Sequence, residues 1–154
     1  MSIVTGISVA ISLIVNWHAR KEENRLRYIQ LLRDFDHDLF GYEEPSLKTT
    51  EDAQTYAIRV LLTLSRIVYL HEKKKLQDDI VEYFSNYLAY GLTIKNWLGK
   101  IYPDIGEEDK KKFANFEQWC NQHDIKPAPF GDLPPAMLNY DKLLEKEKGE
   151  NATI

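Results

Sequence analysis

The chain has 154 residues, 44% of them hydrophobic, which suits one domain with a substantial core. A net charge of −4 argues against nucleic acid as a main partner, because phosphate binding needs a basic surface. The single cysteine, Cys120, excludes an internal disulfide.

The first nineteen residues carry no charged side chain, because every Lys, Arg, Asp and Glu lies at or after Arg20. This segment is rich in Ile and Val. A helix from Met1 to Trp17 would be about 25 Å long, whereas the hydrocarbon core of a bilayer is about 30 Å thick. We therefore predict that residues 1–19 form a short transmembrane anchor.

The same segment has two alternative interpretations. A cleaved signal peptide would need basic residues before the apolar stretch and small residues before a cleavage site. The sequence has neither feature. A soluble oligomer that buries this helix inside itself would also remove it from water.

Four basic residues follow the apolar segment closely, and none precedes it. Since Lys and Arg are enriched on the cytoplasmic side of membrane spans, we predict a single-pass protein of the cell membrane. Its N-terminus would lie outside and residues 20–148 would form a cytoplasmic domain. The predicted membrane-interface residues are Trp17, Arg20, Lys21, Arg25 and Arg27.

Helical periodicity continues beyond the anchor. Apolar residues recur at helical spacing over residues 20–40, so the first helix is predicted to continue to Gly41 and to stop before Pro45. The residues of this stripe are Tyr28, Leu32, Phe35 and Leu39, widened by Ile29 and Leu31.

The second predicted helix starts after Thr49 and ends near Lys74. Thr49 and Asp52 have the spacing of a capping box. The helix is apolar nearly all round in its middle, which indicates the most buried helix of the domain. Its predicted core residues are Ala53, Tyr56, Ala57, Val60, Leu61, Leu64, Ile67 and Val68.

The sequence KKKLQDD predicts a tight joint after the second helix, because cations suit a helix C-terminus and anions suit an N-terminus. The third helix is predicted to end near Lys100. Gly91, within it, is expected to let a neighbouring backbone approach closely. The predicted inward face is Ile80, Phe84, Tyr87, Leu88, Gly91, Ile94 and Leu98.

Two further helices are predicted towards the C-terminus. One covers residues 107–123, is capped by Asp104 and turns Phe113, Phe116 and Cys120 inward. A Pro-rich connection leads to a last helix over residues 136–147, with Met137, Tyr140 and Leu144 inward, and residues 149–154 are expected to fray. The predicted fold class is all-α, with a transmembrane helix that continues into an antiparallel bundle of about four to five helices.

The stretch from Tyr69 to Trp119 contains YLHEKKKLQDDIVEYFSNYLAYGLTIKNWL and then a short helix with FEQW. It resembles an uncharacterised family of small prokaryotic proteins that have one N-terminal hydrophobic span followed by a few helices. The resemblance covers part of the chain and its motifs are structural. It implies a tether followed by helices, and it implies no activity and no catalytic residue.

Two clusters are candidates for chemistry. Asp34 and His37 lie at i, i+3, the spacing of carboxylate-x-x-His ligands in di-iron helical bundles, but such sites need a second copy, which the sequence lacks. Asp34 and His37 are therefore only weak metal candidates. Cys120 and His123 have the spacing of a nucleophile and a base one turn apart. The alternative is that Cys120 is a small buried side chain.

Three aromatic residues of the third helix, Tyr83, Tyr90 and Trp97, fall off its main apolar face and predict a partner-binding surface. Because the common catalytic motifs are missing, we predict that the protein is not an enzyme and needs no cofactor. The leading hypothesis is a membrane-anchored interaction module or accessory subunit that contacts lipid and binds another protein or its own copies. The alternatives are a metal-binding or enzymatic domain and a soluble oligomer.

Overall fold

The computed structural model describes residues 3–40, 47–76 and 78–151, with side chains at all of these except 3–11, 36, 38–40 and 80–81. The described elements are helical, which confirms the all-α class. The helices are α1 (Ile3–Phe40), α2 (Thr50–Glu72), α3 (Asp79–Tyr83), α4 (Ser85–Ile101), α5 (Glu107–Gln122), α6 (Pro135–Leu138) and α7 (Tyr140–Asn151), with a 3₁₀ turn at Phe130–Asp132.

The chain divides into two compact units, Met1–His37, which contains most of α1, and Asp38–Ile154. Helix α1 is unbroken over 38 residues, which confirms that the apolar segment and the following charged segment belong to one helix. The predicted stop between Gly41 and Pro45 lies outside the described residues.

Helix α2 is the centre of the second unit, because α4, α5, α6 and α7 all pack against it. The predicted capping box is confirmed: the Thr49 hydroxyl accepts from the Asp52 backbone N–H at 3.0 Å, and the Asp52 carboxylate accepts from the Thr49 N–H at 3.0 Å. The Lys48 N–H also donates to the Asp52 carboxylate, and this bond, followed by the bonds from Thr49, lowers the pKa of Asp52. All eight predicted core residues of α2 are buried.

The third predicted helix is interrupted at Phe84, so α3 and α4 replace one continuous helix. Phe84 is fully buried with φ −94° and ψ 6°. The Ser85 hydroxyl donates to the Glu82 carbonyl at 2.9 Å, a local bond that competes with the helical backbone ladder. The predicted inward positions at Phe84, Leu88, Gly91, Ile94 and Leu98 are buried; Tyr87 is half-buried.

The start of α5 differs from the prediction. Its N-cap residue is Gly106 and no side chain caps it, so the prediction that Asp104 caps this helix is wrong. Glu107, Glu108 and Asp109 in the first turn supply the negative charge that suits a helix N-terminus. The inward positions Phe113, Phe116 and Cys120 are confirmed, and Trp119 joins them.

The Pro-rich connection and the last helices are held by hydrogen bonds to α2 and α4. The Thr93 hydroxyl donates to the Ala128 carbonyl at 2.6 Å, and the Ala128 N–H donates to the Ala89 carbonyl at 3.0 Å. On α7, the Glu147 carboxylate accepts from the Thr50 hydroxyl and N–H, and these bonds lower the pKa of Glu147. Helix α7 continues to Asn151, past the predicted end at 147.

Gly91 lies where two buried side chains approach α4. A Cβ atom there would overlap Cδ1 of Leu64 and lie 3.0 Å from Cζ of Phe116. The close neighbours are therefore side chains, and the predicted approach of a neighbouring backbone is wrong. Both Leu64 and Phe116 are fully enclosed, so neither can move away without disturbing the core.

Replacing Gly91 with alanine is expected to destabilise the protein. Overpacking costs about 1–3 kcal/mol, of which the better helix propensity of alanine returns up to about 1 kcal/mol. Gly99→Ala in the same helix is the matched control, because a Cβ there meets nothing within 4 Å, and it should stabilise the protein by up to about 1 kcal/mol. Urea denaturation measures both; a Gly91→Ala protein as stable as the Gly99→Ala protein would contradict the packing argument.

Candidate functional site

The apolar part of α1 carries large side chains that lie open on the helix surface. Leu13, Ile14, Val15 and Trp17 are each more than half exposed, with Leu13 at 64%. In the part of the chain that the structure describes, no helix is long and apolar enough to cross a membrane.

The predicted interface residues after this segment are all exposed. The Lys21 ammonium lies 5.2 Å from the centre of the Trp17 ring, a cation–π contact. Arg27 pairs with Glu23 at 2.5 Å and Arg25 lies 3.7 Å from Glu22. Glu22 and Glu23 therefore partly neutralise the positive charge of residues 20–27 on the helix itself.

The weak metal candidates lie further along α1. The Asp34 carboxylate accepts from the Gln30 side-chain amide at 2.8 Å, one turn back along the helix, and His37 is exposed. Within the described residues, no group of three or more His, Cys, Asp or Glu side chains has an arrangement that could hold a metal ion. The structure thus brings no further ligand to Asp34 and His37 among these residues.

The predicted partner surface of Tyr83, Tyr90 and Trp97 does not form as one surface. Tyr83 is 57% exposed and Tyr90 is half-buried. Trp97 is 5% exposed and its ring packs edge-on against Tyr140 at 5.4 Å, so its assignment to an exposed surface is wrong. The reason is that the ring of Tyr140, the first residue of α7, packs against Trp97, which the periodicity of α4 alone does not reveal.

Cys120 is fully buried in the core of the second unit. Burial, with a smaller contribution from the Glu117 carboxylate, raises the pKa of its thiol to about 12. The Nδ1 atom of His123 lies 2.9 Å from the Trp119 carbonyl oxygen, an arrangement that holds this nitrogen on the backbone. The structure therefore supports the alternative reading of Cys120 as a small buried side chain.

A groove of about 410 Å³ follows the seam between α2 and α5. Val68, Tyr69 and Phe116 form apolar parts of its wall, and Arg66 and Lys112 line it as well. The Ser65 hydroxyl oxygen is buried here and has no hydrogen-bond partner within the described ranges. The groove is large enough for a drug-sized group and combines apolar walls with a few polar groups, as binding pockets do.

A second cleft, of about 590 Å³, lies where the end of α2 meets the end of α5. Glu72 lines both this cleft and the groove. His71, Trp119 and His123 line this second cleft, and we call these three residues the histidine cluster. The His123 ring stacks on Trp119 at 3.8 Å, and the His71 ring stands edge-on to both, 5.4 Å from Trp119 and 5.7 Å from His123.

The histidine cluster was not predicted from the sequence. His71 and His123 each lie at the C-terminal end of a helix, where a cation is favoured. This position at a helix end was the one feature of the sequence that could have pointed to the two histidines. It did not indicate that the two helix ends meet, because the register between α2 and α5 depends on tertiary packing.

The chain was compared with known proteins at three levels. No protein family, curated protein or solved structure matches it. The resemblance of the stretch from Tyr69 to Trp119 to small prokaryotic single-span proteins therefore stays a prediction.

Proposed function

We propose that the protein is a membrane-attached interaction module, in which the first part of α1 inserts into a lipid bilayer and the helical domain binds another protein. The observation that carries this proposal is the set of exposed apolar side chains at Leu13, Ile14, Val15 and Trp17, in a segment without charge before Arg20. A surface of this kind is typical of a membrane or protein contact.

Lipid is the occupant of this surface that the energy of burial favours. Full burial of one large apolar side chain stabilises by about 1.5–3 kcal/mol, so several together give a strong drive out of water. Lipid tails can cover such side chains on every side of the helix. Arg20 and Lys21, the basic residues nearest to this segment, are attracted to anionic headgroups by about 1 kcal/mol each, whereas Glu22 and Glu23 offset the charges of Arg25 and Arg27.

The length of the uncharged part of α1 determines which residues we place at the membrane surface. Ile3–Trp17 is about 22 Å long as a helix, shorter than a hydrocarbon core of about 30 Å. Trp17 would then lie at the headgroup level, where Trp is enriched, and the Lys21 ammonium above it would reach water. We propose the cytoplasmic side for Arg20 and the residues after it, since basic flanks favour that side.

A density-gradient flotation assay of the full chain tests this proposal. It uses phosphatidylcholine vesicles and vesicles that also contain phosphatidylserine. We expect the chain to float with both, and more completely with the anionic vesicles. Native membranes solubilised into nanodiscs should yield assemblies larger than the monomer. Protein that stays at the bottom of the gradient as a uniform oligomer would contradict membrane attachment, and nanodiscs that repeatedly hold bare monomer would contradict the interaction role.

A further inference from the structure

The histidine cluster lies where the C-terminal ends of α2 and α5 meet. His71 is in the last turn of α2, and its side chain is 14% exposed. His123 directly follows the last residue of α5 and is exposed. The centres of the two imidazole rings are 5.7 Å apart, and both rings line the second cleft. Two side chains of a type that binds metal ions, from helices far apart in sequence, are therefore neighbours in one cleft.

Each of the two rings has one nitrogen that is already hydrogen-bonded. The Nδ1 atom of His123 lies 2.9 Å from the Trp119 carbonyl oxygen, which only accepts, so this nitrogen donates and Nε2 remains. The Nε2 atom of His71 lies 3.0 Å from a carboxylate oxygen of Asp78 and donates in the same way, so Nδ1 remains. Within the described ranges, neither remaining nitrogen has a hydrogen-bond partner.

This arrangement of hydrogen bonds is typical of histidines that bind metal ions. A ligating imidazole binds the ion through one nitrogen and donates its other N–H to a carboxylate or a backbone carbonyl, which orients the ring. Asp78 supplies the carboxylate for His71, and Trp119 supplies the carbonyl for His123. An imidazole nitrogen lies about 1 Å from its ring centre and a Zn–N bond is about 2 Å long, so one ion can bind two rings whose centres are up to about 6 Å apart. The observed separation of 5.7 Å is within this reach.

The charges around the second cleft favour a cation. The C-terminal ends of α2 and α5 each carry a partial negative charge from their unpaired carbonyl groups. Glu72 and Asp78 line the cleft with two carboxylates, which Lys74 opposes with one ammonium. The carboxylate of Asp124, just after the cluster, is paired with Lys126 at 2.8 Å. The side chains that line the cleft therefore carry a net negative charge when both imidazoles are neutral.

We propose that His71 and His123 together bind a divalent transition metal ion such as Zn²⁺, with Nδ1 of His71 and Nε2 of His123 as the protein ligands. Imidazole nitrogen suits Zn²⁺ and Cu²⁺, whereas Mg²⁺ and Ca²⁺ prefer oxygen ligands. Among the described side chains no group of three or more ligands forms, so water completes the coordination. An ion bound in this way ties the end of α2 to the end of α5. The site does not depend on the proposed membrane attachment.

Isothermal titration calorimetry with zinc chloride on the detergent-solubilised full chain tests this site. The buffer is mildly alkaline, because ligating imidazoles must be neutral. We expect saturable binding of one ion per chain, and no binding of Mg²⁺. His71→Gln and His123→Gln should each weaken the affinity by about tenfold or more, since each removes one of the two protein ligands. His37→Gln is the matched control and should leave the affinity unchanged, because His37 belongs to the other unit.

A second measurement uses the wild-type chain and does not depend on whether the variants fold. An ion that binds the folded chain better than the unfolded chain raises stability. The two rings come from different helices, so only the folded chain holds them together. We therefore expect Zn²⁺ at about a hundredfold excess over its dissociation constant to raise the urea midpoint of the wild-type chain.

The outcomes distinguish a site at the cluster from binding elsewhere. The proposal is supported if Zn²⁺ binds, both cluster variants lose affinity and the urea midpoint rises. It is overturned if calorimetry shows no saturable binding, if either cluster variant binds Zn²⁺ as tightly as wild type, or if saturating Zn²⁺ leaves the wild-type midpoint in place. Loss of affinity in His37→Gln alone would also overturn it, because the ion would then belong to the Asp34 and His37 pair.

Discussion

Replacing Leu13 and Val15 with aspartate should release the protein from membranes. Both side chains are well exposed in the uncharged part of α1, where we propose that lipid covers them. An aspartate in the middle of a bilayer costs about 3 kcal/mol more than a leucine or valine, and less near the edge, so two should weaken binding at least a hundredfold. Vesicle flotation measures the loss.

Leu26→Asp in the same helix is the matched control. Leu26 is also a large exposed apolar residue, at 58%, but it lies after the basic residues that begin at Arg20. We therefore expect this variant to float like wild type. Equal release by Leu26→Asp, or full flotation of the double aspartate variant, would show that attachment does not depend on the first part of α1.

Replacing Phe116 with alanine should destabilise the helical domain by about 3–5 kcal/mol. Phe116 is 1% exposed and its ring lies next to Gly91 of α4, so it fills space between α5 and α4. Alanine would leave a cavity that the surrounding helices can close only in part. A loss of this size is a large share of the stability of an ordinary domain, which is about 5–15 kcal/mol.

Denaturation by urea, followed by far-ultraviolet circular dichroism on the full chain, measures the loss. Lys111→Ala is the control in the same helix, because Lys111 is exposed, and it should change the free energy of unfolding by no more than about 0.5 kcal/mol. A loss below about 1 kcal/mol for Phe116→Ala would mean that α5 is not packed on the core as described.

Local patterns were sufficient to predict the helices and their buried faces. The eight core positions of α2, the capping box at Thr49 and the basic joint after Glu72 all follow from residues within a few positions of one another. The breaks in the predicted helices at Phe84 and Asn139 were not predicted. At the first, the Phe84 ring is buried and the Ser85 hydroxyl donates to the Glu82 carbonyl; at the second, the Asn139 side-chain amide donates to the Pro135 carbonyl. The cap of α5 was assigned to Asp104, two residues before the true N-cap Gly106.

The candidate functional sites likewise include features that the sequence predicts and contacts that it does not. The sequence by itself determined the uncharged segment before Arg20, the basic residues after it and the face that each helix buries, because charge order and helical period are properties of the chain. Only the tertiary structure decided that Tyr140 packs against Trp97, that Leu64 and Phe116 lie against Gly91, and that His71 meets His123. These contacts depend on the register between helices, which is set by side chains that interlock across elements far apart in sequence.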